Sequence, residues 1–336
     1  MLKKLFFILA TLSVIIIFAL SVMLGNGISS PAKVYATFAG MTAHDFEQAT
    51  ILYQRFPRVL IALYVGAVMA YSGLVFQGLI QNPLSSSSTL GVNAGATLFV
   101  VGGAILFNFS LAAQGILALL GGIFGFLSCL FVARLAGLNG APRGLLLILA
   151  GTLITMLYLG GANAILLANP SQRTDFLAWI AGNINHVYID RFYKFCWLGG
   201  VAFVILLSLS KPLTLGLLGK EKATSMGVNA IWVSRIAMAT AIVASSSAVA
   251  ICGPISFVGL VVPHMVRPLV GQNFAVGLTA SALVGASVCA LADLCARVAF
   301  QPYVINTGVL LDLMGGLVFI FMIRKFYISS SVTRLS

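Results

Sequence analysis

Ten apolar runs separated by short polar stretches fill the chain: residues 5–24, 59–80, 90–107, 111–132, 145–167, 195–209, 236–251, 255–266, 274–294 and 307–323. About 20 residues at 1.5 Å rise cover the roughly 30 Å of bilayer hydrocarbon, so most of these runs are long enough to cross it as helices. None alternates apolar and polar positions in ten-residue segments, which argues against a membrane β-barrel. The eighth run is short and bounded by Pro254 and Pro263. It predicts a partial crossing, tolerated where protein covers the backbone. The first run follows Lys3 and Lys4, as a signal peptide would, but it exceeds a typical signal core and no A-x-A site follows closely. It reads as a retained first helix. The pattern predicts an all-α polytopic membrane protein of about ten transmembrane helices, one domain over residues 1–336, with no soluble domain or low-complexity linker.

Composition agrees. Hydrophobic residues make up 60% and charged residues 8%, with mean hydropathy +1.07. Soluble domains carry about a quarter charged residues, so lipid is the solvent here. The 34 glycines then suggest closely packed helices rather than loops. Cys129, Cys196, Cys252, Cys289 and Cys295 lie in or beside apolar runs and read as small buried hydrophobes. His44, His186 and His264 sit in no ligand motif, so no metal site and no catalytic residue is expected.

Charge orients the chain. With the N-terminus inside, twelve of the nineteen Lys and Arg fall on the inner side, against a single acid, Glu221. The outer side takes Lys33, Arg55, Arg58, Arg173, Arg191, Lys194 and Arg297. The positive-inside rule therefore places both termini in the cytoplasm. The net charge of +12 reflects topology and calls for no nucleic acid.

On this orientation the polar stretch "LGLLGKEKATSMGVNA", residues 215–230, is cytoplasmic and joins the sixth and seventh spans. Its "GLLGKE" is no phosphate-binding loop: two residues rather than four separate the glycines, and a glutamate follows the lysine. Any ATP must be hydrolysed by a partner. Taken alone, the stretch reads as a hairpin resting among anionic head groups.

Four segments change that reading. "RFPRVLIALYVGAVMAYSGLVFQGLIQNPLSSSSTLGVNAGA" begins at Arg55, "LGKEKATSMGV" at Leu218, "AICGPISFVGLVVPHMVRPLVG" at Ala250 and "LADLCAR" at Leu291. Together they resemble the FecCD family, permease subunits of type II ABC importers for iron–siderophores, heme and cobalamin. The resemblance covers most of the chain from Arg55 on. Met226 and Cys252 stand where Leu and Ala are usual, and near the last span Asn306 replaces a proline while Asp312 falls inside the helix.

The resemblance implies that residues 211–229 form two short helices that dock on a cytoplasmic ABC ATPase dimer, through Leu218, Gly219, Lys220, Glu221, Ala223, Met226, Gly227 and Val228. ATP and Mg belong to that partner, and no cofactor binds this chain directly. It implies a second permease subunit in a homo- or heterodimer. It also implies a periplasmic or lipid-anchored binding protein whose carboxylates meet Arg55, Arg58 and Arg297; guanidinium forks suit such partners. The plainer reading makes Arg55 and Arg58 head-group flanks and pairs Arg297 with Asp293, four residues earlier on one helix. The location implied is the bacterial cytoplasmic membrane, multi-pass.

Pathway and gate candidates complete the reading. Thr152, Thr155 and Asn163 share one face of the fifth span, suited either to helix–helix hydrogen bonds or to lining a pathway. Asn139 and Gly140 lie at its inner mouth, where the family places a gate. Asp312 has three options open: an ion pair with an arginine such as Arg297, a protonated hydrogen bond to a neighbouring helix, or contact with cargo. His264 reads as packing.

An ion-coupled secondary transporter usually needs central ionisable residues, and only Asp312 and Asp293 are offered. No paired carboxylates or nucleophile motif supports an enzyme. The reading is therefore an importer permease for a ferric siderophore, with cobalamin or heme as the alternatives.

Overall fold

A computed structural model of the chain describes residues 2–25, 27–40, 43–137, 143–217, 220–301, 303 and 305–323. The chain runs α1 (Leu2–Met23), β1 (Leu24–Gly25), β2 (Gly27–Ile28), α2 (Pro31–Gly40), α3 (Phe46–Thr50), α4 (Phe56–Ile80), α5 (Val92–Phe107), α6 (Leu111–Ala136) and α7 (Arg143–Ala168). It continues with α8 (Pro170–Ile180), α9 (Ile189–Ser208), α10 (Ser210–Gly216), α11 (Lys220–Ser225), α12 (Ala230–Cys252), α13 (Val258–Val270), α14 (Phe274–Val298) and α15 (Thr307–Ile323). The β1–β2 hairpin is the whole of the strand structure among the described residues. The all-α expectation holds.

Seven helical stretches are long and apolar enough to cross a membrane, and three shorter apolar helices, α5, α13 and α15, complete the ten. Three details differ from the sequence reading. The second span does not begin at residue 59: α3, a π-helical turn at Ile51–Arg55 and α4 run on as one helical stretch from Phe46. Arg55 and Arg58 therefore lie within it. Pro263 does not bound the eighth span but sits inside α13, together with Pro268. Finally, α2 and α8 form outside the apolar runs. After the expected orientation, the end of the bundle carrying Arg55, Arg58 and Arg297 is called outer and the opposite end inner.

The central span is α4: in its most apolar window 78% is buried, against 22% for α1. It packs on α14, α12 and α13. Small residues allow the approach. A Cβ at Gly66 would run into the carbonyl oxygen of Gly285 on α14, and one at Gly73 into that of Gly259 on α13. In lipid, helices associate largely through such close backbone packing. Around this core, α1 and α6 turn Leu5, Ile8, Leu12, Leu127 and Phe131 outward, an apolar surface that only lipid or another subunit can cover.

Polar residues set the helix ends. Asn273 begins α14, its Oδ1 accepting from the backbone N–H of Ala275 at 3.0 Å and of Val276 at 3.3 Å. Asn229 does the same for α12, accepting from Trp232 N–H at 3.3 Å. Gln81 and Asn108 stop α4 and α5 in the left-handed conformation, at φ 55° and 52°.

Candidate functional site

At the outer end the last carbonyls of α1 have no partner within the helix, and Ser29 N–H donates to one of them, Met23 O, at 3.0 Å. Two arginines from distant parts of the chain fill them. Arg55 Nη1 donates to the carbonyls of Val22 (3.1 Å) and Met23 (2.8 Å) and to Ser29 Oγ (3.1 Å), and its Nη2 to Gly27 O (3.1 Å). Arg297 Nη2 donates to Ser21 O at 3.2 Å and Nη1 to Leu24 O at 3.4 Å. Cations at a helix C-terminus also suit its dipole.

Asp293 ties this cap to the core. Arg58 Nε donates to both its carboxylate oxygens, at 2.9 and 3.1 Å, and Arg297 Nε donates to Oδ2 at 3.1 Å. Thr307 Oγ1 adds a fourth bond, 2.9 Å to Oδ1. Asp293 is 1% exposed, Arg55 6%, Arg58 9% and Arg297 7%. Helices α1, α4, α14 and α15 are thus clasped by one buried cluster of three cations and one anion, the remaining charge being met by carbonyl dipoles. Arg58 Nη2 is buried in it without a hydrogen-bond partner among the described residues. The i,i+4 pair of Asp293 and Arg297 expected from spacing is present. Direct meeting of the three arginines with a partner's carboxylates is a different matter. Arg55 and Arg297 are buried with their Nη groups bonded within this chain, and Arg58 is buried and held through its Nε.

On α7, Thr152 and Asn163 are exposed and Thr155 is half-buried. Thr152 Oγ1 turns back to Leu149 O at 2.8 Å, and Thr155 Oγ1 donates to Ser88 O at 3.4 Å. Asp312 is exposed on α15, with Leu313 and Leu317 beside it. It does not pair with Arg297, whose Nε is held by Asp293. Helix α7 packs on α5 and α6, and α15 on α13 and α14, so these candidates stand on separate parts of the chain. Asn139 and Gly140 lie outside the described residues.

At the inner end the expected pair of short helices is present as α10 and α11. Leu218 and Gly219 lie outside the described residues; Lys220 and Glu221 lie on the first turn of α11. Ala223 is fully buried, and Met226 is exposed. Gly227, at φ 75°, closes the helix: Val228 N–H donates to Ala223 O at 3.0 Å and Gly227 N–H to Thr224 O at 2.9 Å. This is a Schellman cap, which favours glycine at that position. Thr214 Oγ1 on α10 accepts from Phe274 N–H at 3.0 Å, joining the stretch to the first residue of α14.

The profile of the FecCD transport family matches residues 13–325. The chain belongs to the FecCD family. Among FecCD relatives, the Fe(3+) dicitrate transport system permease protein FecD of Escherichia coli is 33% identical over 276 residues, 81% of this chain and 84% of that protein. The ferric enterobactin transport system permease protein FepG of the same organism is 34% identical over 271 residues, 80% of each chain. The Fe(3+)-citrate import system permease protein YfmD of Bacillus subtilis is 34% identical over 283 residues, 83% of this chain and 82% of that protein. A solved structure titled as an inward-facing metal-chelate type ABC transporter superposes with a TM-score of 0.80 at 27% identity, covering 96% of this chain and all of that one. This FecCD chain is therefore a multi-pass ABC transporter permease, a transporter subunit rather than an enzyme.

Sequence reasoning missed the Arg58–Asp293 bond because 235 positions separate the partners. One signal existed: an acidic residue inside an apolar helix needs a buried cation, and the chain has few to offer. It also missed Arg191, which is 4% exposed. Its Nη2 donates to Leu111 O at 2.7 Å and Gln114 Oε1 at 3.1 Å, and its guanidinium lies over the Tyr188 ring, 5.1 Å from the centroid.

Proposed function

We propose that the chain is the permease subunit of an importer that carries a ferric siderophore or ferric citrate complex across the bacterial cytoplasmic membrane. The observation that carries this reading is the FecCD match over residues 13–325, with relatives in two organisms named for ferric chelates. A partner ATPase dimer supplies the energy, holding ATP and Mg, and docks on α10 and α11. The capped, outward-facing turn at Met226 and Gly227 suits such a contact, because it is exposed yet fixed in shape. A second permease subunit covers exposed faces such as those of α7 and α15, and the pathway runs past Thr152, Thr155, Asn163 and Asp312. Asn139 and Gly140 serve at its inner mouth. A binding protein meets the outer surface that Arg55, Arg58 and Arg297 hold in shape.

Reconstituting the permease with its ATPase and binding protein in proteoliposomes tests this. ATP-dependent uptake of iron-55 presented as siderophore or citrate complexes is expected. Uptake of cobalamin or heme without uptake of any ferric chelate would overturn the cargo assignment.

A further inference from the structure

At the inner end a cavity of about 720 Å³ opens between α6 and α12, floored by α4 and closed at one side by α10. None of the pathway candidates on α7 and α15 lines it. Its lining is graded. Arg134 and Arg235 stand at the inner end with Gln81, and the depth is apolar: Ile123 on α6, and Met238 and Val243 on α12. Arg134 and Arg235 are both exposed, and neither makes an ion pair among the described residues. Arg235 lies over the Trp232 ring, 5.4 Å from its centroid, and aromatic residues of this kind gather at head-group depth.

The dimensions select the occupant. From Arg134 to Ile123 is eleven helical residues, roughly 16 Å, or about half the hydrocarbon thickness of a bilayer. The groove therefore runs from head-group level to the membrane midplane, the reach of one leaflet's acyl chain. A soluble partner meets only the rim. We propose that this groove binds one anionic phospholipid, its phosphate held between Arg134 and Arg235 and an acyl chain laid against Met238 and Val243. The lipid would then lie against Leu213 of α10, itself one of the proposed ATPase-docking helices, and against Leu217 just after it. The inference rests on α6 and α12 crossing the bilayer and is independent of the cargo.

The test is native mass spectrometry of the purified full-length chain in detergent doped equally with dioleoyl-phosphatidylglycerol and dioleoyl-phosphatidylcholine. A one-to-one phosphatidylglycerol adduct is expected at roughly tenfold preference, since each surface arginine favours an anionic lipid several-fold. Arg134→Ala with Arg235→Ala should bring the ratio near one, and each single variant should lower it about threefold. Ala239→Trp, on the exposed groove wall, should lose the adduct with both arginines kept. Equal retention of the two lipids by the wild type would overturn the proposal, as would an unchanged ratio in the double variant. Displacement by glycerol 3-phosphate would show a soluble phosphate site instead. Loss of the adduct on adding the cognate ATPase would assign the groove to that subunit. Because no transport is measured, a failed uptake assay with the adduct intact counts against the cargo alone.

Discussion

Two groups of arginines, one at each end of the bundle, are used in opposite ways. At the outer end Arg55, Arg58, Arg191 and Arg297 are buried, and each donates to Asp293, to backbone carbonyls or to both. At the inner end Arg134 and Arg235 face outward beside an open groove. Four of the seven cations counted as outer are therefore absent from the outer surface. An arginine near a span end thus has two distinct fates, and acceptors brought from elsewhere in the chain, a carboxylate for Arg58 and Arg297 and carbonyls for Arg55 and Arg191, accompany the buried one.

The sharpest way to break this contrast is Asp293→Ala. It leaves Arg58 and Arg297 buried without their anion, a change that costs about 3–5 kcal/mol when a buried pair loses one partner. A large fall in thermal midpoint and in membrane yield is expected. Arg134→Ala should stay within about 0.5 kcal/mol of wild type, as exposed substitutions do. If Asp293→Ala melted like wild type, the outer cluster would not be the clasp described, and direct docking of its arginines would regain weight.

Gly227→Val probes the inner end. Nothing lies within 4 Å of a Cβ there, so the penalty is the positive φ alone, about 1–2 kcal/mol and confined to the cap of α11. Substrate-stimulated ATP hydrolysis should fall sharply while the melting of the bundle stays unchanged. Normal stimulation in this variant would remove the capped turn from coupling.

Asp312→Asn should change the relative uptake of differently charged chelates and leave thermal stability unaltered, because its carboxylate makes no ion pair among the described residues. A uniform loss with poor yield would indicate a structural partner.

The smallest effect is expected at the outer rim, where Lys33 pairs with Asp45 at 2.8 Å. The hydrogen bond that Lys33 donates to Asp45 lowers the Asp45 carboxyl below its ordinary 3.8 and raises the Lys33 ammonium above 10.5. A lowered acid contributes stability above its unfolded value and loses it as pH falls through the folded one. Wild type should therefore exceed Lys33→Met slightly at pH 7, and the difference should shrink as pH falls below 3.8. A constant difference would mean that the lysine stem, not its charge, matters.

The ten apolar runs were readable because each span must bury or expose its residues to lipid along its length. The start of the second span was not. Arg55 and Arg58 look like a boundary until Asp293 and the end of α1 are brought beside them. Sequence spacing revealed the Asp293–Arg297 pair, since four residues is one helical turn, but it carried no trace of Arg58 on the same carboxylate. Gly227 was readable as punctuation, and its φ explains why. The face of Thr152 and Asn163 followed from helical spacing; what covers that face lies with another chain or with lipid. Helix α8 carried no signal, because a short helix outside the membrane has no apolar run to announce it.

One bond at Phe274 has a mechanical consequence. It fixes the first residue of α14 to α10, and the far end of the same helix carries Asp293 and Arg297. Twenty-five residues make a rod of roughly 37 Å. Tilting that rod about its inner end by about 5° carries its tip some 3 Å sideways, about the length of one of the hydrogen bonds held there. Carried through a rigid α14, a small displacement of α10 at the inner end is thus geometrically enough to separate a closed clasp from an open one at the outer end.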